Sequence, residues 1–178
     1  MKDRTFIILV FILSLIIVLL YSDIKKEKGC IPEYTQLKIN KHIDTFDLID
    51  AEGRPIKSSS LRDNDILGIF ILKQPCPSCD PNIYYFEKLS KAYSDKFTAL
   101  GIILSDVETL HEFLSAKRPH FRVFRVVDIQ GFKKAFNVNF NSSQATLLKS
   151  GTVIYSKSGN LNPEEFFKIK KIIKGGMK

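Results

Sequence analysis

The chain has 178 residues, of which 44% are hydrophobic and 26% charged. This is enough for one globular domain with a short appendage, and the composition excludes a disordered protein. The net charge of +8 is compatible with nucleic acid, but the basic residues form no basic-aromatic motif, so no nucleic-acid partner is expected. Three cysteines are too few for a disulfide-stapled scaffold.

The N-terminus carries an apolar run, residues 5–21, behind two basic residues. Its length is at the short end of the about 17–25 residues that a membrane-spanning helix needs. A cleavable secretory signal ends in small residues, whereas this run ends in Leu-Leu-Tyr. We therefore predict an uncleaved membrane anchor at 1–22, a linker at 23–42 and a single domain at 43–178. Lysines flank the run on both sides, so charge does not set its orientation.

The domain alternates between strand-like and helix-like patterns. Apolar and polar residues alternate in some segments with a period of two, and recur in others near a period of 3.6. The order predicts an α/β fold whose sheet contains parallel and antiparallel strands. The predicted strands are 43–50, 55–57, 66–72, 98–104, 121–127, 145–149 and 152–156, and the predicted helices are 81–95, a helix from 107 that stops near Pro119, 129–136 and 163–174.

Cys76 and Cys79 lie where the buried strand at 66–72 passes into the helix at 81–95. Open sheets place their functional sites at such a junction. Two cysteines at this spacing form a dithiol/disulfide pair or half of a zinc site. Zinc requires four ligands, and the chain has no second cysteine pair and no ligand-like spacing of its histidines. A dithiol is therefore preferred, and Cys30 is interpreted as a spare thiol in the linker rather than a lipidation site.

Thiol–disulfide exchange needs a thiolate, a resolving thiol and an open approach. Because the helix is expected to begin at or just after Cys76, its free N–H groups favour the thiolate of Cys76. We therefore predict that Cys76 attacks and that Cys79, expected to be the more buried, resolves. The charge of Asp80 opposes thiolate formation. Asp128 and Glu87 are possible proton relays, for which solvated or structural roles are preferred.

The sequence resembles the thioredoxin-like superfamily, in particular its TlpA/ResA and AhpC/TSA (redoxin) branch, from about residue 43 to 174. The resemblance implies a thioredoxin-like fold, a central mixed sheet flanked by helices, behind an N-terminal transmembrane helix. It also implies a thiol:disulfide oxidoreductase without a cofactor. Such a protein is tethered to a bacterial inner or cytoplasmic membrane, exchanges with extracytoplasmic protein disulfides and needs an upstream thiol donor or acceptor. The matching residues are Phe46-x-Leu48-x-Asp50-x-x-Gly53, Leu61, Cys76-Pro77-Ser78-Cys79, Asp128 and Thr146-Leu147-Leu148 with Gly151.

The chain departs from that branch at three places. Pro75 stands where many relatives have tryptophan, the cysteines enclose Pro-Ser, and residues 142–146 lack the cis-proline that faces the dithiol in relatives. A cis bond without proline costs about 2.5–4 kcal/mol, so a trans bond is expected at Gln144. Two alternatives stay open: a thiol peroxidase of the redoxin type and a non-catalytic binding domain. The peroxidase pattern requires a hydroxyl three residues before its cysteine, where this chain has Lys73.

Overall fold

The computed structural model describes residues 37–61, 64–74, 76–138 and 142–175, together with Ser14. The chain divides into two units, Met1–Thr35 and Gln36–Lys178. The predicted anchor, apart from Ser14, and most of the predicted linker lie outside the described residues. Within the described residues, no helix has both the length and the apolar character needed to cross a membrane.

The described part of the second unit is a mixed sheet of seven strands flanked by helices. The strand order is β2-β1-β5-β4-β3-β6-β7. The parallel pairs are β3 with β4 and β4 with β5, whereas β6 runs antiparallel to β3 and β7 antiparallel to β6. The strands are β1 (Asp47–Ile49), β2 (Pro55–Lys57), β3 (Ile66–Ile71), β4 (Phe97–Ile103), β5 (Arg122–Val126), β6 (Gln144–Lys149) and β7 (Thr152–Ser158), and the helices are α1 (Ile83–Ala92), α2 (Val107–Lys117), α3 (Ile129–Phe136) and α4 (Pro163–Ile173).

β3 is the central strand, and all six of its residues are buried. Its side chains alternate between the two faces of the sheet. On one face they join the core formed with α1, α2 and α4, and on the other the core formed with α3. Phe70 packs on Phe86 of α1 with ring centroids 3.5 Å apart. This contact fixes α1 against the strand whose end carries the cysteines.

Gly68 in the middle of β3 is required by packing. A Cβ atom at this position would lie 2.3 Å from the ring of Phe97. Real carbon atoms do not approach so closely, so a larger residue would force the ring or the strand to move. The absence of a side chain thus lets the central strand pack closely in the core.

The main difference from the sequence-based elements lies before β1. The predicted strand at 43–50 is a regular strand only at Asp47–Ile49, because the preceding backbone bonds elsewhere. The N–H of Ile43 donates to the carbonyl of Gly151 at 2.8 Å, and that of Phe46 to the Ser58 hydroxyl at 3.0 Å. Residues 37–42 contact β7, and the N–H of Asn40 donates to Val153.

Candidate active site

Cys76 and Cys79 lie just beyond the carboxyl end of β3. The two residues form a disulfide with their Cα atoms 5.3 Å apart, within the usual range of about 4.4–6.8 Å. The last pairs of β3 place Ile71 between Ile102 of β4 and Gln144 of β6. The disulfide therefore follows the most enclosed strand of the sheet. Among the described residues, no group of three or more His, Cys, Asp or Glu side chains is arranged to hold a metal ion.

No α-helix begins at or just after Cys76, so that prediction is wrong, although the predicted helix at 81–95 is present from Ile83. Cys76 precedes a three-residue 3₁₀ helix, Pro77–Cys79, and α1 begins only at Ile83. Asp80 is extended, with ψ 115°, because the ring of the following Pro81 disfavours helical backbone at the residue before it. A single 3₁₀ turn has a far smaller dipole than an α-helix, so Cys76 lacks the expected stabilisation of its thiolate.

The expected burial of the two cysteines is reversed. Cys76 is half-buried, whereas Cys79 is exposed. The 3₁₀ turn returns the chain to the surface after three residues, whereas its first residue, Pro77, and the following Asp80 are buried. The prediction that Cys79 would be the more buried cysteine is therefore wrong. In the oxidised protein, Cys79 is the more accessible partner.

We call the segment between β3 and α1 the cysteine loop. Its buried acid is Asp80, which is 4% exposed. Its Oδ2 accepts the N–H of Lys73 at 2.9 Å, and its Oδ1 accepts the N–H of Asn82 at 2.8 Å. Burial raises the pKa of Asp80 above its ordinary value, although these two N–H groups and the Ser143 hydroxyl act in the opposite direction. The carboxylate thus closes the loop by joining the residues before and after the cysteines.

Asn82 ties the same loop to the neighbouring strands. Its side chain is fully buried, and its Oδ1 accepts the N–H of Leu161 at 2.6 Å. Its Nδ2 donates to the Ser143 hydroxyl at 2.8 Å and to the Gly159 carbonyl at 3.3 Å. The N–H of Gly159 in turn donates to the carbonyl of Ser143 at 2.7 Å. Asp80, Asn82 and Ser143, with the backbone groups they bind, form what we call the loop network.

Sequence reasoning missed the loop network. Asn82 precedes α1 like an ordinary capping residue, but its side chain makes no cap hydrogen bond. The partners of its side chain lie 61 to 79 residues further along the chain, a distance at which no local pattern links them. The one available local signal was Pro81, which predicts an extended Asp80.

The segment without proline does lie against the cysteine loop, as the resemblance implies. Ser143 and Gln144 are 1% and 2% exposed. Ser143 accepts the hydrogen bond from Asn82, while Gln144 Nε2 donates to the Phe136 carbonyl at 3.0 Å and to Thr146 Oγ1 at 3.1 Å. A hydrogen-bonded Ser-Gln pair therefore occupies the entry of β6, where relatives carry the proline.

The two acids considered as proton relays lie in ordinary surroundings. Asp128 is exposed, and its side chain caps α3 by accepting the N–H of Gly131 at 2.9 Å. The preferred structural interpretation of Asp128 is confirmed. Glu87 is half-buried on α1. Lys73, three residues before Cys76, has an exposed side chain without a hydroxyl.

Comparison with protein families gives a match over most of the chain. The model described as Redoxin matches residues 31–173. This range contains every strand and helix of the domain as well as both cysteines of the disulfide. No curated protein sequence matches the chain.

Solved structures with the same fold are distant in sequence. One is described as a thiol:disulfide interchange protein DsbE, from Chlorobium tepidum, with TM-score 0.65 and 16% identity over 79% of this chain and 99% of that one. The peroxidoxin BcpB from Mycobacterium tuberculosis has TM-score 0.66 and 17% identity over 80% and 99%. The thioredoxin domain of a thiol-disulfide oxidoreductase from Bacteroides vulgatus has TM-score 0.66 and 14% identity over 78% and 99%. At these identities the likeness shows the fold, and the predicted thioredoxin-like fold is confirmed.

Proposed function

The chain belongs to the Redoxin family, and we propose that it is a thiol:disulfide oxidoreductase whose exchanging pair is Cys76 and Cys79. The observation that carries the proposal is the Cys76–Cys79 disulfide at the end of the buried central strand, with Cys79 exposed. Exchange requires an accessible sulfur beside a second cysteine that completes the reaction. The loop provides both within one turn.

The exposure of Cys79 sets the order of the proposed steps. A substrate thiolate attacks the sulfur of Cys79, the Cys76–Cys79 bond breaks, and Cys76 leaves as a thiolate. A second substrate thiolate then attacks the substrate sulfur bound to Cys79, forming the substrate disulfide and releasing the Cys79 thiolate. Two electrons pass to the protein, and both thiolates take up protons from solvent. In the reducing direction, Cys79 attacks and Cys76 resolves, which reverses the roles predicted from the sequence.

Trapping of the mixed disulfide tests the pair and the order. The full-length chain with Cys30→Ser is used, so that only the two loop cysteines react, and oxidised glutathione and insulin serve as disulfide probes. We expect the reduced Cys76→Ser variant to form the mixed disulfide at least about tenfold faster than Cys79→Ser, because exposure of the attacking sulfur limits the rate. Faster trapping by Cys79→Ser restores the sequence-based order. Failure of every form to exchange overturns the proposal and favours a non-catalytic binding domain.

A thiol peroxidase is the competing activity, and a peroxidoxin has the same fold. The position three residues before Cys76 is an exposed lysine rather than a hydroxyl-bearing residue. A reduced sample is mixed with hydrogen peroxide and its consumption is followed alongside insulin reduction. We expect disulfide exchange to be much the faster reaction. Sustained peroxide turnover with negligible disulfide exchange would replace the oxidoreductase by a peroxidase.

We further propose that residues 5–21 anchor the chain by a single pass in a bacterial inner or cytoplasmic membrane, with the domain on the extracytoplasmic side. The apolar run supports the anchor, and disulfide chemistry belongs to oxidising compartments. The expected partners are protein disulfides or dithiols and an upstream thiol donor or acceptor. A membrane-impermeant maleimide should label Cys30 in intact cells expressing a chain with both loop cysteines changed to serine. Labelling only after lysis would place the domain on the cytoplasmic side.

A further inference from the structure

Four aromatic side chains form a continuous strip across α1 and α4. The ring centroids of Tyr84 and Tyr85 are 5.6 Å apart, those of Tyr85 and Phe166 are 5.1 Å apart, and those of Phe166 and Phe167 are 6.3 Å apart. The two ends of this aromatic strip face solvent, since Tyr84 is 57% exposed and Phe167 is 60% exposed. Tyr and Phe on a surface supply large contact area at low entropic cost, so such strips are suited to binding.

Lysines cover the aromatic strip. Lys88 Nζ lies 4.2 Å from the ring centroid of Tyr84. Lys170 Nζ lies 5.5 Å from the centroid of Phe166 and 5.6 Å from that of Phe167. These are cation–π distances, and they place the two ammonium groups over the rings of the strip.

The exposed charges of α4, which carries half of the aromatic strip, differ in sign from those at the start of α2. On the outer side of α4, Lys168 and Lys171 are exposed and outnumber the exposed Glu164. Helix α2, which contacts the 3₁₀ turn, instead presents the exposed Glu108 in its first turn, after the exposed capping residue Asp106. A partner that approaches the disulfide from the side of α1 and α4 therefore meets a basic, aromatic surface.

The aromatic strip begins five residues after the exposed cysteine along the chain. Its first residue, Tyr84, lies in the first turn of α1. Asn82, at the start of α1, binds the N–H of Leu161, which directly precedes the capping residue of α4. The loop network thus holds the N-terminal ends of both helices together next to the disulfide.

We propose that the aromatic strip, with Lys88 and Lys170, is the docking surface for the redox partner protein. The partner presents acidic and apolar side chains beside its own cysteines. This inference rests on the proposed function, because the surface matters only if the pair exchanges with a protein. Acidic residues complement the lysines and steer the encounter, while apolar residues pack on the rings that remain exposed.

Two synthetic peptides of equal length test the partner chemistry. Each contains one disulfide between two cysteines, flanked by leucines and either four glutamates or four lysines. Their reaction with the reduced full-length chain carrying Cys30→Ser is followed by stopped flow. We expect the glutamate peptide to react about tenfold faster at low salt and the ratio to fall towards one at high salt, since screening weakens the attraction. Equal rates at low salt overturn the inference.

Charge-reversal variants locate the effect. Lys88→Glu with Lys170→Glu should lower the ratio of the glutamate-peptide rate to the lysine-peptide rate to about two or less. The matched control, Lys96→Glu with Lys149→Glu, changes the net charge by the same amount. Both lysines lie at the end of the sheet opposite the disulfide, where Ile66 at the start of β3 pairs with Phe97 and Lys149. The control variant should retain most of the preference for the glutamate peptide. Equal loss in both pairs would mean that overall charge, rather than this surface, determines the preference.

Glutathione separates docking from chemistry. Tyr84→Ala with Phe167→Ala should slow the glutamate peptide severalfold and leave the reaction with oxidised glutathione unchanged, because glutathione has no apolar side chain that could pack on the rings. An equal slowing of both reactions overturns docking. Absence of reaction with glutathione and both peptides in the unmodified chain is instead a failure of the proposed function. Loss of binding to anionic phosphatidylglycerol vesicles, with unchanged peptide rates, assigns the strip to a membrane surface and also overturns the inference.

Discussion

Two loops of this protein are closed by an aspartate in nearly the same way, with opposite electrostatic results. In the turn between β1 and β2, Asp50 Oδ1 accepts the N–H groups of Glu52 at 3.0 Å and Arg54 at 2.8 Å. Its Oδ2 also binds the Arg54 guanidinium at 2.7 Å. Burial raises the pKa of Asp50, but the N–H and guanidinium of Arg54 outweigh it, so the pKa lies below its ordinary value.

Asp80 in the cysteine loop also accepts two backbone N–H groups. Among the described residues it forms no ion pair, and its burial leaves the pKa above the ordinary value. The negative charge therefore stabilises the surface turn and destabilises the cysteine loop. Perturbed acids of this kind are concentrated at functional sites, and here the costly one is next to the disulfide.

The largest expected effect is at Asn82, the most deeply buried side chain of the loop network. Asn82→Ala leaves the Leu161 N–H unpaired and removes the bonds to Ser143 and Gly159. We expect a loss of about 2–4 kcal/mol in the free energy of unfolding, measured by urea denaturation of the oxidised protein. Asn64→Ala is the control, because its two hydrogen bonds lie in a more exposed setting. A loss at Asn82 no larger than at Asn64 would contradict the importance given to this network.

The pH dependence of stability should have opposite signs for the two aspartates. For Asp80 the folded pKa exceeds the unfolded one, so its contribution is present at low pH and lost as pH rises through the raised pKa. For Asp50 the folded pKa is depressed, so its contribution is present above the ordinary value of 3.8 and lost as pH falls through the lowered pKa.

Urea unfolding between pH 3 and pH 7 checks these signs with the Asp80→Asn and Asp50→Asn variants. The stability of the unmodified chain relative to Asp80→Asn should decrease as pH rises, and that relative to Asp50→Asn should increase. Because both variants remove one carboxylate, each is a control for the other. If both stability differences changed with pH in the same direction, the two aspartates would not differ electrostatically as described.

The smallest effect is expected at Ser143. Ser143→Ala removes one hydroxyl from the loop network but leaves its carbonyl bond to Gly159. The expected loss in the free energy of unfolding is about 1 kcal/mol. In a double-mutant cycle, Ser143→Ala should cost less when Asn82 is already alanine, because the shared hydrogen bond is then absent. Full additivity would show that the two side chains do not act together.

The sequence predicts the elements whose patterns are local. The observed β3 begins where the predicted strand 66–72 begins and ends one residue earlier, at Ile71. Helix α3 has the predicted bounds of 129–136. These segments are specified by continuous or periodic apolar residues, which need no distant partner. The predicted strand at 43–50 was too long because its first residues bond to Gly151 and Ser58 rather than to a neighbouring strand.

At the site, the sequence identifies the cysteine pair but not its surroundings. The pair follows from spacing alone. The start of α1, the exposure of Cys79 and the burial of Asp80 depend on the extended backbone before Pro81 and on bonds from Asn82 to residues far along the chain. Such tertiary hydrogen bonds override the local preference for a helix that continues back to the first cysteine.

The reduction potential of the Cys76–Cys79 disulfide tests the proposed exchange most directly. The full-length chain with Cys30→Ser is equilibrated in thiol buffers of defined potential, and the two cysteines are counted by alkylation and mass spectrometry. We predict a single two-electron transition in the range of exchanging pairs, about −120 to −270 mV. A pair that stays oxidised below about −300 mV behaves as a structural disulfide and would contradict the proposed exchange.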